Sequence, residues 1–192
     1  MLLSPETMHA FLQSRRRLEI HNTSLKRAAV LLLFFVQEGD LHILFTKRTA
    51  TVEHHKGQVS FPGGSSDEGD EDIVATALRE AREEVGLSPQ LVSILGIFDD
   101  FPTPSGFCIT PVIGYAKTAP VLTPSEEEVE DVFSVPVRFF LDPQNERVEH
   151  RAVGGKLYEM YSYQHGTHRI WGATAAMLKA FLRCFASGAG EA

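Results

Sequence analysis

The segment Arg79-Glu80-Ala81-Arg82-Glu83-Glu84-Val85-Gly86 constrains this chain more than any other. On a helix each residue advances by about 100°, so Glu80, Glu83 and Glu84, spaced by three and four, share one face. Val74, Leu78, Ala81 and Val85 form an adjacent apolar stripe. A helix from about Ile73 to Val85 is therefore predicted to pack on a sheet by that stripe, with the carboxylates projecting outward. Gly86 is well placed to end it in a left-handed conformation. Three clustered carboxylates repel one another and raise each other's pKa unless something positive lies between them, and a hard divalent cation with oxygen ligands meets that need. Arg79, four residues before Glu83, is spaced to orient it. A merely solvated acidic face is the ordinary alternative. Gly63-Gly64 tells against it, because backbone without side chains can approach a metal and offer a carbonyl.

Around this helix the sequence reads as strands and helices without regular alternation, which predicts an α+β fold. Ser4-Pro5-Glu6 has the form of a helix start, with a short amphipathic helix to about Arg16. The apolar run Ala28–Val36, the turn Glu38-Gly39-Asp40 and Leu41–Thr46 predict a buried hairpin. Lys47–Lys56 reads as a loop, Gln58–Phe61 as a short strand ended by Pro62-Gly63-Gly64, and Leu91–Phe98 and Phe107–Ala116 as strands. Ser125 is placed to cap a short acidic helix from Glu126 to Phe133, and Pro136–Leu141 suggests another helical turn. Arg147–Val153 and Lys156–Tyr163 flank Gly154-Gly155 as a hairpin, and a last helix runs from about Trp171 to Phe185. With no repeat and no linker, the expectation is one domain over 1–192, in which 1–26 is an N-terminal helical extension.

Charge and cysteine usage narrow the partners. The formal net charge is −7, so nothing in the overall electrostatics favours a nucleic-acid backbone. Cys108 and Cys184 stand far apart and in no metal-ligand spacing, which suits two reduced, packed side chains. Met1–Ile20 lacks the apolar stretch of a secretory leader, and the run Ala28–Val36 is far short of the ~20 residues that a membrane helix needs. The expected location is cytoplasmic, with no membrane partner. A homodimer is compatible with all of this.

These residues resemble the Nudix box: Gly, five residues, Glu, seven residues, Arg-Glu, an aliphatic, any residue, Glu-Glu, any residue, Gly, an aliphatic. Gly64 opens it here and Arg79 to Leu87 fills its second half. The first half departs by one residue: Asp70 has the spacing of the first Glu counted from Gly64, and Glu71 counted back from Arg79. In the family that carboxylate partners the box arginine. A second resemblance, to coenzyme A pyrophosphatases, lies upstream in Leu44-Phe45-Thr46-Lys47-Arg48-Thr49 and Gly57-Gln58-Val59-Ser60-Phe61-Pro62-Gly63-Gly64. It continues in Thr103–Phe107, Thr110-Pro111-Val112, Glu128-Val129, Val135-Pro136 and Trp171–Ala175. Where that subfamily carries an arginine five residues after Arg48, this chain has Glu53, and Thr49 replaces a Ser or Ala.

The resemblance implies a Nudix-type α/β/α sandwich with a mixed β-sheet. It implies metal-dependent hydrolysis of a diphosphate linkage, with Mg2+ or Mn2+ held by Glu80, Glu84, Glu83 and the Gly64 carbonyl. Glu83 and Glu128 are both candidates for the general base, and Arg79 for an orienting role. Arg48 and Lys56 are candidates for substrate phosphate contact, and Ser105 and Phe107 for the pocket wall; Trp171 reads as core or helix-start packing. Coenzyme A or acyl-coenzyme A is the favoured substrate, giving 3′,5′-ADP and (acyl-)4′-phosphopantetheine. The alternatives are ADP-ribose, a nucleotide sugar or another nucleoside diphosphate derivative, which Glu53 favours, and a ligand sensor without turnover. A pure binder has no need of three repelling carboxylates.

Overall fold

The structure, a computed structural model, describes residues 3–49, 57–153 and 156–188, the side chains of 151, 153 and 156–158 excepted. In chain order the elements are α1 (Pro5–Ser14), β1 (Lys26–Gln37), β2 (Asp40–Arg48), β3 (Val59–Ser60), β4 (Gly63–Ser65), α2 (Ile73–Val85), β5 (Ser93–Ile97), β6 (Phe101–Pro102), β7 (Phe107–Ala116), β8 (Val129–Pro136), α3 (Val137–Leu141), β9 (Glu146–Val153), β10 (Lys156–His165), β11 (His168–Trp171) and α4 (Gly172–Gly188).

Strand β1 is the spine. It runs parallel to β7, from Lys26 opposite Phe107 to Phe35 opposite Ala116. Its other edge is divided. The C-terminal end pairs with β2 across the predicted Glu38-Gly39 turn, and the N-terminal end pairs with β4, Ala29 opposite Gly64 and Val30 opposite Gly63. Beyond that division β2 leaves β1 and takes β3 as partner, its other edge pairs with β8 from His42 to Arg48, and β5 and β6 pair with β7. One parallel pairing among antiparallel ones makes the sheet mixed. Strands β9, β10 and β11 form a second, antiparallel sheet.

The apolar run of β1 is buried from Ala28 to Phe35, as a strand covered on both faces requires. Alternate residues go to opposite layers. Ala29, Leu31, Leu33 and Phe35 cluster with Ala77, Ala81 and Val85 of α2. Val30, Leu32 and Phe34 cluster with Met8 and Phe11 of α1 and with Leu178 and Phe181 of α4. The result is the expected α+β sandwich of helix, sheet and helix.

Three local expectations need correction. Val129–Pro136 is a strand, not the end of an acidic helix. Ser125 caps only one turn, through bonds from the N–H groups of Glu128 and Val129 to its carbonyl. The β-branched run that follows finds the open edge of β2, Val135 opposite Ile43 and Phe133 opposite Phe45, and pairing outweighs the acidic start. The Gly63-Gly64 turn is itself a strand on β1. The final helix begins one residue late because Trp171 closes β11. Helix α1 starts at the Ser4–Thr7 capping box, and its Met8 is fully buried.

Candidate active site

Helix α2 has the predicted bounds and ends at the predicted glycine. The Asp72 side chain accepts from the Ala75 N–H at 2.8 Å, and Gly86 ends the helix at φ 66°, its N–H reaching the Ala81 and Arg82 carbonyls. Only glycine adopts that φ freely. Two further carbonyls at this end are met from the loop ahead of β8: Thr123 N–H donates to Val85 at 2.8 Å and Ser125 N–H to Glu84 at 2.9 Å. The Ser125 turn is also held from β2, where Thr49 N–H donates to the Glu128 carbonyl and its hydroxyl to the Glu127 carbonyl, both at 3.0 Å. Glu128 thus stands beside the glutamates of α2, and its charge acts on both Glu80 and Glu84.

The three carboxylates do not share one environment, contrary to the outward-facing row expected. Glu84 is 1% exposed. It lies three residues after Ala81 and belongs with Ala77, Ala81 and Val85 to the buried stripe. Arg48 Nη1 donates to its Oε1 at 3.0 Å and the Gly63 N–H to its Oε2 at 3.2 Å. Burial outweighs both donors and pushes its pKa up to about 7. Glu80 is partly buried; desolvation raises its pKa against the Arg79 charge, and the Glu83 and Glu128 charges add to the rise. Glu83 stands at the open edge, its side chain 47% exposed.

Arg79 organises the outer part of the group. Its Nε and Nη2 take both oxygens of Asp70, at 2.9 and 3.1 Å; Nη1 donates to Glu80 and Glu83 at 3.0 and 2.9 Å; Nη2 also reaches the Ser65 carbonyl at 2.9 Å. This fork geometry resolves the box register in favour of Asp70 over Glu71. Hydrogen bonds from Arg79 hold the Asp70 carboxyl well below the usual range, and the Thr76 hydroxyl braces it at 2.8 Å. The extra loop residue is accommodated by a turn in which the Asp70 N–H bonds the Asp67 carbonyl.

The backbone before the helix approaches as closely as the glycines suggested. A Cβ on Gly64 would lie 2.5 Å from a Glu80 carboxylate oxygen, and one on Gly63 would overlap the Ala29 carbonyl. Among the described residues no three His, Cys, Asp or Glu side chains converge as a ready metal cage. The donor set nevertheless suits a hard divalent cation: carboxylate oxygens of like charge, one of them packed on a side-chain-free backbone.

A cleft of about 480 Å³ opens beside this group. Arg48, Gly63, Gly64, Ser105 and Phe107 line it, together with Trp171, Gly172 and Ala173. Arg48 lines the cleft and is the ion-pair partner of Glu84. Lys56, with Glu53, His54 and His55, lies outside the described residues. Trp171, read from the sequence as packing, is 40% exposed. Its position directly before Gly172, where a strand must turn into a helix, was the available signal.

Residues 25–154 match the NUDIX domain. The chain is 39% identical over 160 residues to Nudix hydrolase 15, mitochondrial, of Arabidopsis thaliana, covering 80% of this chain and 56% of that protein. It is 38% identical over 165 residues to the mitochondrial coenzyme A diphosphatase NUDT8 of Homo sapiens, covering 84% and 70%. Against the Nudix hydrolase NudL of Cronobacter sakazakii it is 34% identical over 186 residues, covering 92% and 93%. The chain thus spans only about half the length of the plant relatives. Among solved structures, the Nudix hydrolase RenU of M. Smegmatis superposes with a TM-score of 0.58 at 20% identity, over 84% of this chain and 86% of that one. Box, sheet and relatives agree, and this chain belongs to the Nudix hydrolase family.

Proposed function

We propose that this protein hydrolyses the diphosphate linkage of coenzyme A or an acyl-coenzyme A to 3′,5′-ADP and 4′-phosphopantetheine or its acyl form. The observation that carries the chemistry is the close approach of Gly64 to the Glu80 carboxylate and of Gly63 to Glu84, with Arg79 holding Glu83 beside Glu80. The substrate reading rests on the upstream motif and on the relatives named coenzyme A diphosphatases.

In this proposal Glu80, Glu84, Glu83 and the Gly64 carbonyl hold Mg2+ or Mn2+, which when bound neutralises the diphosphate and activates water. Glu128 is the favoured base, because its charge is felt at Glu80 and Glu84 whereas the Glu83 carboxylate is engaged by Arg79. Water adds its oxygen to one phosphorus and gives its proton to Glu128. The bond from that phosphorus to the bridging oxygen breaks, and the second phosphate leaves as the anion. Arg48 and Lys56 contact substrate phosphate, while Ser105 and Phe107 shape the wall. Arg79, with Asp70, keeps the ligand carboxylates in place.

Among the described residues no helix is long and apolar enough to cross a membrane. A cytoplasmic location stays part of this proposal, and fractionation of the source cells decides it. The competing substrates are ADP-ribose and nucleotide sugars, which Glu53 favours by placing a negative charge where the subfamily motif has an arginine. Incubation of a diphosphate panel with Mg2+ or Mn2+, with products identified by mass, separates the readings. Formation of 3′,5′-ADP from coenzyme A supports the proposal; turnover of ADP-ribose with coenzyme A left intact overturns it.

A further inference from the structure

Trp171 is the one aromatic side chain that stands exposed among the described residues. Exposed indole is costly to leave in water and is the best stacking surface among the side chains. Its place is specific. Trp171 and Gly172 border the catalytic cleft and also a second cavity of about 270 Å³. The two cavities therefore meet at this ring. The second one is lined by the outer face of the small sheet, where Trp171 lies opposite Ser162 and Glu149 opposite Met160.

The two cavities differ in chemistry. The wall of the cleft is mainly apolar, with Val30, Val59, Phe61, Phe107, Ile109 and Met177. The second cavity carries Glu149, His150, Tyr161, Ser162 and Arg169. The Arg169 guanidinium lies 5.9 Å from the centre of the Trp171 ring and 3.5 Å from a Glu149 carboxylate oxygen. Both partners of that ion pair are more than half exposed, at 56% and 69%, so the pair is held weakly and Arg169 is free to exchange Glu149 for a stronger anion. A phosphate monoester carries more negative charge than a lone exposed carboxylate and offers three acceptor oxygens, so the guanidinium holds it more strongly. A cation beside an exposed indole, on the wall of the cleft that Arg48, Gly63 and Gly64 also line, is a recognition pair for a planar base that bears a phosphate monoester.

We infer that Trp171 and Arg169 form a nucleotide subsite, in which the indole stacks on the base of the substrate and the guanidinium binds a phosphate monoester on its ribose at a position other than 5′. The subsite selects nucleotides that carry such a phosphate over those that lack it. The identity of that nucleotide as 3′,5′-ADP rests on the coenzyme A reading; the stacking does not.

The chain contains a single tryptophan, so the subsite has its own probe. Titration of the wild-type protein with 3′,5′-ADP should quench Trp171 emission saturably, and 4′-phosphopantetheine should leave it unchanged. Arg169→Gln, which keeps the fluorophore, should weaken 3′,5′-ADP binding about tenfold, the loss of one charge-assisted contact, and change AMP binding by less than about twofold. In steady state the same variant should raise KM for coenzyme A about tenfold at nearly constant kcat, with little effect on dephospho-coenzyme A. Trp171→Ala should raise KM for both substrates, and Trp171→Phe should recover part of the loss. No change in emission with 3′,5′-ADP or AMP at millimolar concentration overturns the subsite. An Arg169→Gln variant that binds 3′,5′-ADP and AMP as the wild type does overturns the phosphate contact. If coenzyme A is not hydrolysed while AMP still quenches Trp171, the substrate reading fails and the stacking platform stands.

Discussion

Two buried carboxylates in this fold, Asp100 and Glu84, meet the same problem and end on opposite sides of it. Each is out of water, at 5% and 1% exposure, and each faces arginine. Asp100 receives the Arg17 and Arg27 guanidinia at 2.6 and 3.0 Å, the Ile20 N–H at 2.9 Å and the Thr110 hydroxyl at 2.6 Å. Burial alone would raise its pKa, but these four donors reverse the effect and hold it far below the usual range. Glu84 receives two donors, Arg48 and the Gly63 N–H, and is surrounded on its other side by Glu80 and Glu128. There burial wins. The first carboxylate is satisfied and ties the segment after α1 to the sheet. The second is left short of positive charge beside the cleft, which is what a cation-binding group requires and a structural one avoids.

The strongest way to break this contrast is to neutralise each carboxylate without changing its shape. Glu84→Gln should lower turnover on the order of 10³-fold, about 4 kcal/mol of transition-state stabilisation, while the protein melts at or above the wild-type temperature. Rates and thermal melts on one preparation check both halves, and a variant with full activity would sink the metal assignment. Asp100→Asn should do the reverse. Removing one partner from a buried ion pair costs about 3 kcal/mol, so the urea midpoint should fall while the folded fraction keeps its turnover number. The pH dependence has a definite sign. Asp100 is held below its unfolded pKa, which is about 3.9, so its contribution is complete above that value and is lost as pH falls through the folded one. Arg17 and Arg27 face it and stay charged throughout. The gap in urea midpoint between wild type and Asp100→Asn should therefore be widest near neutrality and close as the solution is made strongly acid. A constant gap would show that the pair acts by packing alone.

A smaller change moves a carboxylate without altering its charge. The Cβ of Gly64→Ala would meet the flexible end of the Glu80 side chain, which can yield, whereas Gly63→Ala would meet the backbone of β1, which cannot. Gly64→Ala should therefore keep its melting temperature within a few degrees and lose roughly 10–100-fold in rate, as displaced metal-site geometry does. Gly63→Ala should lose stability first. Similar melts for the two would mean that the strand pairing of β4 is more compliant than its close approach to β1 implies.

How far the sequence could be read follows the same division. Elements specified by local rules were legible: α2 from Asp72 to Gly86, the β1–β2 hairpin and the Ser4 cap each depend on neighbours a few residues away. The carboxylate triplet was legible as a face but not as three environments, because the burial of Glu84 depends on Arg48 and Gly63, distant in sequence. The strand Val129–Pro136 was misread for a related reason. Its acidic start has local helical features, and only the free edge of β2, fixed by the path of β1, turns the balance. Trp171 reads as packing in the sequence because indole is mostly a core side chain. Its exposure reflects where two cavities meet, a property of the assembled sheets and not of the residues around it.

The smallest predicted effect concerns the box register, where two acidic residues competed for one arginine. Asp70 takes both arms of Arg79 and is braced by Thr76, while Glu71 is exposed and lies at the outer end of the turn. If Arg79 positions Glu80 and Glu83, the loss of Asp70 loosens them without removing a ligand. Asp70→Asn should then cost about tenfold in rate and shift the metal concentration for half activation upward by a similar factor. Glu71→Gln should be indistinguishable from wild type in both measurements, because it gives up only a solvated charge. The paired variants isolate the arginine clasp from general electrostatics, since each removes one negative charge from the same turn. An equal response from both would return the effect to charge alone; an effect confined to Asp70 assigns it to the two-armed contact with Arg79.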